Sequence, residues 1–305
     1  MLGMRNNTSV YYKLSILIPT YNRLNLLKET LNSITTQTQG KPVHVAVVDD
    51  GSNEGNYEYV LELSKKYSFI EVVRHEKNLG VGLARNILLQ MAKGDYLLFL
   101  DSDDLLLDGA LNEILNLINS KTAEVYVLNS YRQKGKKLKF KSFPEGLTKV
   151  ELLKYFLDGA FSEALYLVKT GIAKKIPFNP NLKVREDLGP KACYLLFNKI
   201  KIINKPFAII RDNPQRLRRT SNYYFEHAIT SVEDLFSRLP SEYQVLKPYV
   251  FGKTYLELAK IAYRSGLFLE AQKFLEEAKN YIPELSKNFM FLKFKAKLIF
   301  KRLFN

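Results

Sequence analysis

The chain has 305 residues, 46% apolar and 25% charged, which suits packed cores and excludes global disorder. Lysine and arginine outnumber aspartate and glutamate 46 to 31, and the resulting +15 points to an anionic partner without saying which. The single cysteine, Cys193, excludes an intramolecular disulfide framework and a cysteine-rich zinc site.

Leu14-Ser15-Ile16-Leu17-Ile18 is a short apolar run closed by Pro19, a strand signal. Over 22–36 the residues Leu24, Leu27, Leu31 and Ile34 fall on one helical face. Val43–Val48 is a second apolar run and ends at Asp49-Asp50-Gly51-Ser52. Helical spacing returns over Tyr59–Tyr67, Phe69–Val73 reads as a third strand, Val81–Met91 as a helix, and Tyr96–Leu100 as a fourth strand stopped by Asp101. Strands alternating with helices predict βαβ units and an α/β fold with a mostly parallel, buried sheet.

Val125–Leu128 predicts another strand, and Arg132–Lys141 carries basic residues with no acid, either a solvated hairpin or an anion-facing loop. Prolines 177, 180, 190, 206 and 214 punctuate the next stretch, and from Phe225 the character is nearly all helical. The expected division is therefore an α/β domain over 1–223 and a small all-α domain over 224–305. The first residues lack the apolar stretch of a signal peptide, and no run approaches the roughly 20 apolar residues that span a bilayer. The expectation is a cytoplasmic chain that does not cross a membrane.

Three strands end in chemistry. Ile16–Ile18 leads to Pro19-Thr20-Tyr21-Asn22, the second run to Asp49-Asp50, and the fourth to Asp101-Ser102-Asp103-Asp104. In an open parallel sheet, ligands bind outside the carboxyl ends of the strands, so these motifs gather along one edge. Three carboxylates within four residues repel one another, and a hard divalent cation such as Mg²⁺ or Mn²⁺ removes that repulsion. An EF-hand is excluded because the fifth and sixth loop positions are Leu105 and Leu106. Asp49-Asp50 is either a turn before a helix or a nucleoside contact, since a carboxylate can accept from a base N–H or a sugar hydroxyl.

In order, Ile18–Arg23, Leu31–Thr38, Val47–Ser52, Lys77–Asn86 and Gly94–Asp104 resemble the motifs of family 2 glycosyltransferases with the GT-A fold. That resemblance implies a nucleotide-sugar donor, usually UDP-linked, and a divalent metal, Mn²⁺ or Mg²⁺. It places Asp50 at the base, Pro19, Thr20, Tyr21 and Asn22 in that pocket with Arg85 beside it, and Asp101 with Ser102 at the ribose. Asp103 would hold the metal. Gly80-Val-Gly82-Leu-Ala-Arg85 only half matches a dinucleotide fingerprint, since arginine replaces the third glycine. Neither a P-loop nor a nucleophile-elbow motif occurs.

The family carries an acidic pair downstream, matched here by Glu186-Asp187, and the resemblance makes Asp187 the base with Glu186 as fallback. Inversion by single displacement follows from the same resemblance. Arg216, Arg218 and Arg219 are alternative diphosphate contacts, since arginine suits bidentate phosphate binding. His44, His75 and His227 are too scattered to form a metal set, and His44 and Cys193 read as packing residues.

Leu258, Ala259, Ala262, Gly266, Phe268, Ala271, Leu275, Ala278 and Pro283 resemble one tetratricopeptide repeat, which would need a neighbour to cover its face. Phe289–Phe304 is aromatic and basic without an acid and suits an anionic membrane surface. The combined expectation is a metal-dependent inverting glycosyltransferase, peripheral on the inner membrane face. It would pass a sugar to a glycan or lipid-linked hydroxyl in surface-polysaccharide synthesis. The alternatives are a non-catalytic GT-A-like binding protein working through its helices, or a nucleic-acid binder; the acidic strand ends argue against nucleic acid.

Overall fold

The computed structural model describes residues 10–161, 164–197, 199–211 and 222–287, together with Phe294. The predicted alternation is present as β1 (Leu14–Thr20), α1 (Leu24–Thr38), β2 (Val43–Asp49), α2 (Asn56–Lys66), β3 (Ile70–Arg74), α3 (Val81–Met91) and β4 (Tyr96–Phe99). There follow β5 (Leu105–Leu106), α4 (Ala110–Ser120), β6 (Val125–Leu128), β7 (Tyr131–Lys134), β8 (Lys137–Lys139), α5 (Lys149–Leu157), β9 (Leu165–Lys169) and a single turn, α6 (Thr170–Ala173). The remainder is α7 (Leu188–Leu195), β10 (Ile200–Ile203), β11 (Ala208–Ile210), α8 (Asn222–Arg238), α9 (Lys247–Arg264) and α10 (Phe268–Tyr281).

The described residues divide into two compact units. The first lies within Met1–Gly146, Ala160–Pro180 and Tyr194–Asn213, and the second within Leu147–Gly159, Asn181–Cys193 and Pro214–Asn305. Residues 147–159 and 181–193 thus group with the helices that follow residue 222.

The main sheet of the first unit runs β10-β6-β9-β4-β1-β2-β3. Its pairs are parallel except where β9 runs antiparallel to β4 and β6. Every residue of β1 and β2 is buried, as continuous apolar runs demand of strands covered on both faces. Leu27, Leu31 and Ile34 of α1 join Ile16, Ile18, Val45 and Val47 in one core, and full burial of each such side chain contributes roughly 1.5–3 kcal/mol. The chain leaves β1 toward β2 on one side and β4 on the other, which makes the β1/β4 junction the switch point of the sheet.

A smaller sheet, β5-β11-β7-β8, follows the acidic loop. The basic segment after residue 131 is therefore a β7/β8 hairpin turning at Gly135. Asp101–Asp104 is a turn and not a helix start, and α4 begins six residues later at Ala110. Helix α1 begins two residues later than its apolar spacing predicts, because Asn22 and Arg23 take left-handed backbone (φ 55° and 62°).

In the second unit, α9 and α10 form a hairpin through Gly266 (φ 77°). Six of the nine positions carrying the repeat-like spacing, Leu258, Ala259, Ala262, Ala271, Leu275 and Ala278, are buried there with Phe225 and Ala228, whereas Gly266 and Pro283 are exposed and Phe268 is half-buried. No helix among the described residues is long and apolar enough to cross a membrane. The basic-aromatic segment 289–304 lies outside the described residues apart from Phe294, which packs against Tyr263.

Candidate functional site

The carboxyl ends of β1, β2 and β4 bring the predicted motifs together within the first unit. Thr20 pairs with Asp49 in register, Asp50 N–H donates to the Thr20 carbonyl at 2.8 Å, and Leu100 N–H donates to the Leu17 carbonyl at 3.0 Å. One continuous edge therefore carries Pro19-Thr20, Asp49-Asp50 and Asp101–Asp104.

The adjacent aspartates Asp49 and Asp50 separate by role. Asp49 is fully buried, its Oδ1 accepting from Ser52 N–H and from the Ser52 hydroxyl, and burial pushes its carboxyl above the usual range against those bonds. It holds the turn. Asp50 is held from three sides: His75 Nδ1–H donates to Oδ1 at 2.7 Å, and Leu79 and Gly80 N–H donate to Oδ1 and Oδ2 at 2.9 Å. An ionised carboxylate has about four lone-pair sites, so this arrangement leaves roughly one, on Oδ2. Gly51 makes the arrangement reachable. It sits at φ 77°, and a Cβ there would lie 2.5 Å from the Lys77 carbonyl carbon, in the turn that supplies the two N–H donors.

Asn22 closes the same end. Its N–H donates to Ser52 Oγ at 2.7 Å, its Oδ1 accepts from Asn53 N–H at 3.1 Å, and its carbonyl accepts from Asn56 Nδ2 at 2.6 Å. Asn56 Nδ2 also donates to Thr20 Oγ1 at 3.0 Å. Thr20 is buried, whereas Tyr21 next to it is 42% exposed.

The acidic loop is neutralised by arginines. Asp101, Asp103 and Asp104 each present a carboxylate oxygen, all within 4.8 Å of one another. Arg85 donates to Asp101 at 2.9 Å, and its guanidinium lies 5.7 Å and 5.5 Å from the Phe99 and Phe178 ring centroids. Arg23 pairs with Asp103 at 3.1 Å. Arg211 N–H donates to Asp104 Oδ1 at 2.9 Å, while its side chain donates to the Asp103 carbonyl and pairs with Glu29. Arg85 thus reaches the Asp101 end of the loop. Asn86, next to it, clamps Phe178 by bonds in both directions at 2.9 Å. Convergent carboxylate oxygens suit a hard divalent cation, so the residues present fit Mg²⁺ or Mn²⁺.

Asp187 and Glu186 stand in the second unit at the entry to α7. Asp187 pairs with Lys191 at 2.6 Å one helical turn on, and Glu186 is buried. The preceding Arg185, left-handed at φ 52°, is tied to Glu257. Arg216, Arg218 and Arg219 lie outside the described residues. His44 is buried in β2 and Cys193 is half-buried, its thiol pushed up by burial, as packing residues are.

Three residues acquire a place that the sequence does not assign: Arg23, His75 and Arg211. Arg23 and His75 lie in or beside the quoted motifs, but which side chain each would meet depends on strand order. Arg211 meets the acidic loop, 107 residues earlier, only because β11 pairs with β5.

Residues 15–164 match the profile of Glycosyl transferase family 2. The putative teichuronic acid biosynthesis glycosyltransferase TuaG of Bacillus subtilis is 30% identical over 179 residues, covering 57% of this chain and 69% of that protein. The poly(ribitol-phosphate) beta-glucosyltransferase of Bacillus spizizenii is 30% identical over 195 residues, which are 62% of this chain but 31% of that relative. The match thus spans about a third of that relative's length. The crystal structure of S. aureus TarS 1–349 in complex with UDP-GlcNAc superposes with a TM-score of 0.66 at 21% identity, covering 95% of this chain and 89% of that one. The chain belongs to glycosyl transferase family 2. Its α/β unit has the GT-A fold and is followed by a helical region.

Proposed function

We propose that the protein transfers a sugar from a UDP-sugar to a hydroxyl of a glycan or lipid-linked acceptor in cell-surface polysaccharide synthesis. The observation that carries this reading is the Asp50 carboxylate, fixed by His75, Leu79 and Gly80 with one acceptor position left, on the same edge as the Asp101–Asp104 cluster. A single remaining acceptor suits a pyrimidine that presents one ring N–H. Tyr21 and Asn22 flank that position, and Asp101 with Ser102 faces the ribose.

The acceptor hydroxyl attacks the anomeric carbon, the bond from that carbon to the diphosphate oxygen breaks, and UDP leaves with the bonding pair. Asp187 takes the acceptor proton, and a single displacement inverts the anomeric centre. Asp103 would hold Mg²⁺ or Mn²⁺, which when bound would supply charge stabilisation to the leaving diphosphate. Arg216, Arg218 and Arg219 are the further cations near that diphosphate. The segment 289–304 would hold the enzyme at the anionic inner surface of the membrane, which places it in the cytoplasm.

The test is a thermal-shift panel of UDP, GDP, dTDP and CMP, each with and without Mn²⁺. A ligand bound only by the native state raises apparent stability. The expected result is a metal-dependent rise with UDP that is lost in Asp50→Ala. No rise with any nucleotide, or a rise unaffected by Asp50→Ala, refutes the reading.

A further inference from the structure

The β7/β8 hairpin carries an arrangement that sheet folding does not ask for. Its register sets Arg132 opposite Lys139 and Lys134 opposite Lys137, with Gln133 opposite Leu138 between them. Side chains alternate along a strand, so one face carries Arg132, Lys134, Lys137 and Lys139. The other carries Tyr131, Gln133, Leu138 and Phe140, with the two aromatic rings edge to face at 5.8 Å. All four cations are exposed, and Lys136 adds a fifth at the turn. No aspartate or glutamate occurs between Glu124 and Glu145. Like charges directly opposite on a strand pair are destabilising, and here two such pairs stand in succession.

Edge protection does not account for this. Lysines on the outer strand β8 would blunt the edge by themselves, and it needs no matching cations on β7. A two-by-two cationic lattice, with rows about 6.8 Å apart along the strands, is instead complementary to regularly spaced negative charge. Its position matters too. Arg132 pairs with Ile210 and Leu105 with Ile209, so the row holding Arg132 and Lys139 continues to Asp104. With strands about 4.8 Å apart, the backbones of Arg132 and Lys139 lie roughly 10 and 14 Å from that of Asp104.

We infer that this face of the hairpin binds the acceptor, and that the acceptor is a linear polymer carrying an anionic group, phosphodiester or carboxylate, in each repeat. The inference rests on the glycosyltransferase reading and names its acceptor class. A polymer fits better than a membrane surface, because the apolar side chains lie on the face opposite the cations. A lipid surface takes up apolar and basic side chains from the same side.

The experiment measures binding of the full chain to fluorescent poly(glycerol phosphate) and to polygalacturonate across a salt series. Neutral dextran, single-stranded RNA and phosphatidylglycerol vesicles are the comparison ligands. At least one of the two polymers binds in a salt-dependent way, and dextran does not. The double variant Lys134→Gln/Lys137→Gln weakens that binding by at least about tenfold and flattens the log–log salt slope by about two, one per lysine removed. Arg132→Gln/Lys139→Gln does the same, which separates loss of charge from a local folding defect. Unchanged polymer affinity in both variants overturns the inference. So does loss of RNA or vesicle binding alone, which makes the partner a nucleic acid or a membrane. The UDP–Mn²⁺ thermal shift is read on the same variants. Its retention beside unchanged polymer binding means that only the acceptor assignment fails. Its absence in every protein, with charge-dependent polymer binding intact, means that the donor reading fails and the polyanion surface stands.

Discussion

Arg23 reaches Asp103 at 3.1 Å from a backbone held left-handed at φ 62°, so an arginine already pairs with the aspartate proposed to hold the metal. The conformation is unfavourable for a side chain with a Cβ. It is maintained by Asn22, which Ser52, Asn53 and Asn56 pin on three sides. The pair gives the acidic loop a resident counter-charge, so a divalent cation binding through Asp103 Oδ2 would compete with a guanidinium. Arg23 is partly exposed, and screening limits such a pair to about 1 kcal/mol. Arg23→Gln is expected to bind Mn²⁺ a few-fold more tightly in the absence of nucleotide, read by electron paramagnetic resonance of the free ion. Equal or weaker binding would show that the pair does not compete with the metal.

Gly51 lets the Lys77–Gly80 turn approach Asp50. A Cβ at this position meets the Lys77 backbone at 2.5 Å, and the left-handed φ of 77° disfavours any other residue. Gly51→Ala therefore combines backbone strain of roughly 1–3 kcal/mol with displacement of the N–H groups that orient Asp50. The expected outcome is a fall in unfolding free energy of about 2 kcal/mol or more, measured in urea, together with loss of the UDP-induced thermal shift. Gly40→Ala is the control: its φ is also positive, at 70°, but nothing lies within 4 Å of its Cβ position. That variant should lose stability only through strain and keep the UDP response.

The strand-end motifs were legible because each element of the first unit declares itself locally. Continuous apolar runs give β1 and β2, a four-residue apolar stripe gives α1, and acids stand where strands stop. What the local pattern does not encode is conformation without a side-chain signature. Asn22 and Arg23 turn left-handed and delay α1, and no periodicity reports that. Pairings between distant segments are equally silent. Arg211 meets Asp104 because β11 lies against β5, and β9 enters antiparallel between β4 and β6 in an otherwise parallel sheet. The basic run 132–141 showed its charge in the sequence, but only the hairpin register reveals that cations face cations.

His44 makes a pH prediction with a definite sign. It is buried in β2, with its Nδ1 3.2 Å from Ser15 Oγ and its Nε2 3.5 Å from Glu71. Burial lowers its pKa from the ordinary 6.5, and Lys93 lowers it further, while Glu71 opposes the shift. The fold therefore favours the neutral ring. That contribution to stability is complete above 6.5 and is lost as the pH falls through the lower value in the folded protein. Glu71 itself is held below 4.5, chiefly by Lys93 and His44 against the effect of burial, so it titrates later on acidification. Thermal midpoints of the wild type should drop between neutrality and mild acid before the carboxylates titrate. His44→Gln should be less stable at pH 7 and lose that early step. An identical acid profile in the variant would assign the step to another group.

Asp187 and Glu186 are adjacent, and their surroundings distinguish them. Glu186 is buried, whereas Asp187 leaves 28% of its side chain exposed and holds Lys191 at 2.6 Å across one turn of α7. A general base must reach the proton that it removes, and a positioned carboxylate contributes about 10²–10⁴-fold to rate. Asp187→Asn keeps the volume and removes the basicity, so kcat for sugar transfer should fall within that range. Donor binding should be unchanged, because the nucleotide contacts proposed for this chain lie on the β1, β2 and β4 edge. Glu186→Gln should alter stability more than rate, since its burial makes it a packing element of the turn. Lys191→Gln removes the partner that orients Asp187 and should lower kcat by a smaller factor. If Glu186→Gln abolishes transfer while Asp187→Asn retains it, the roles of the two carboxylates are reversed.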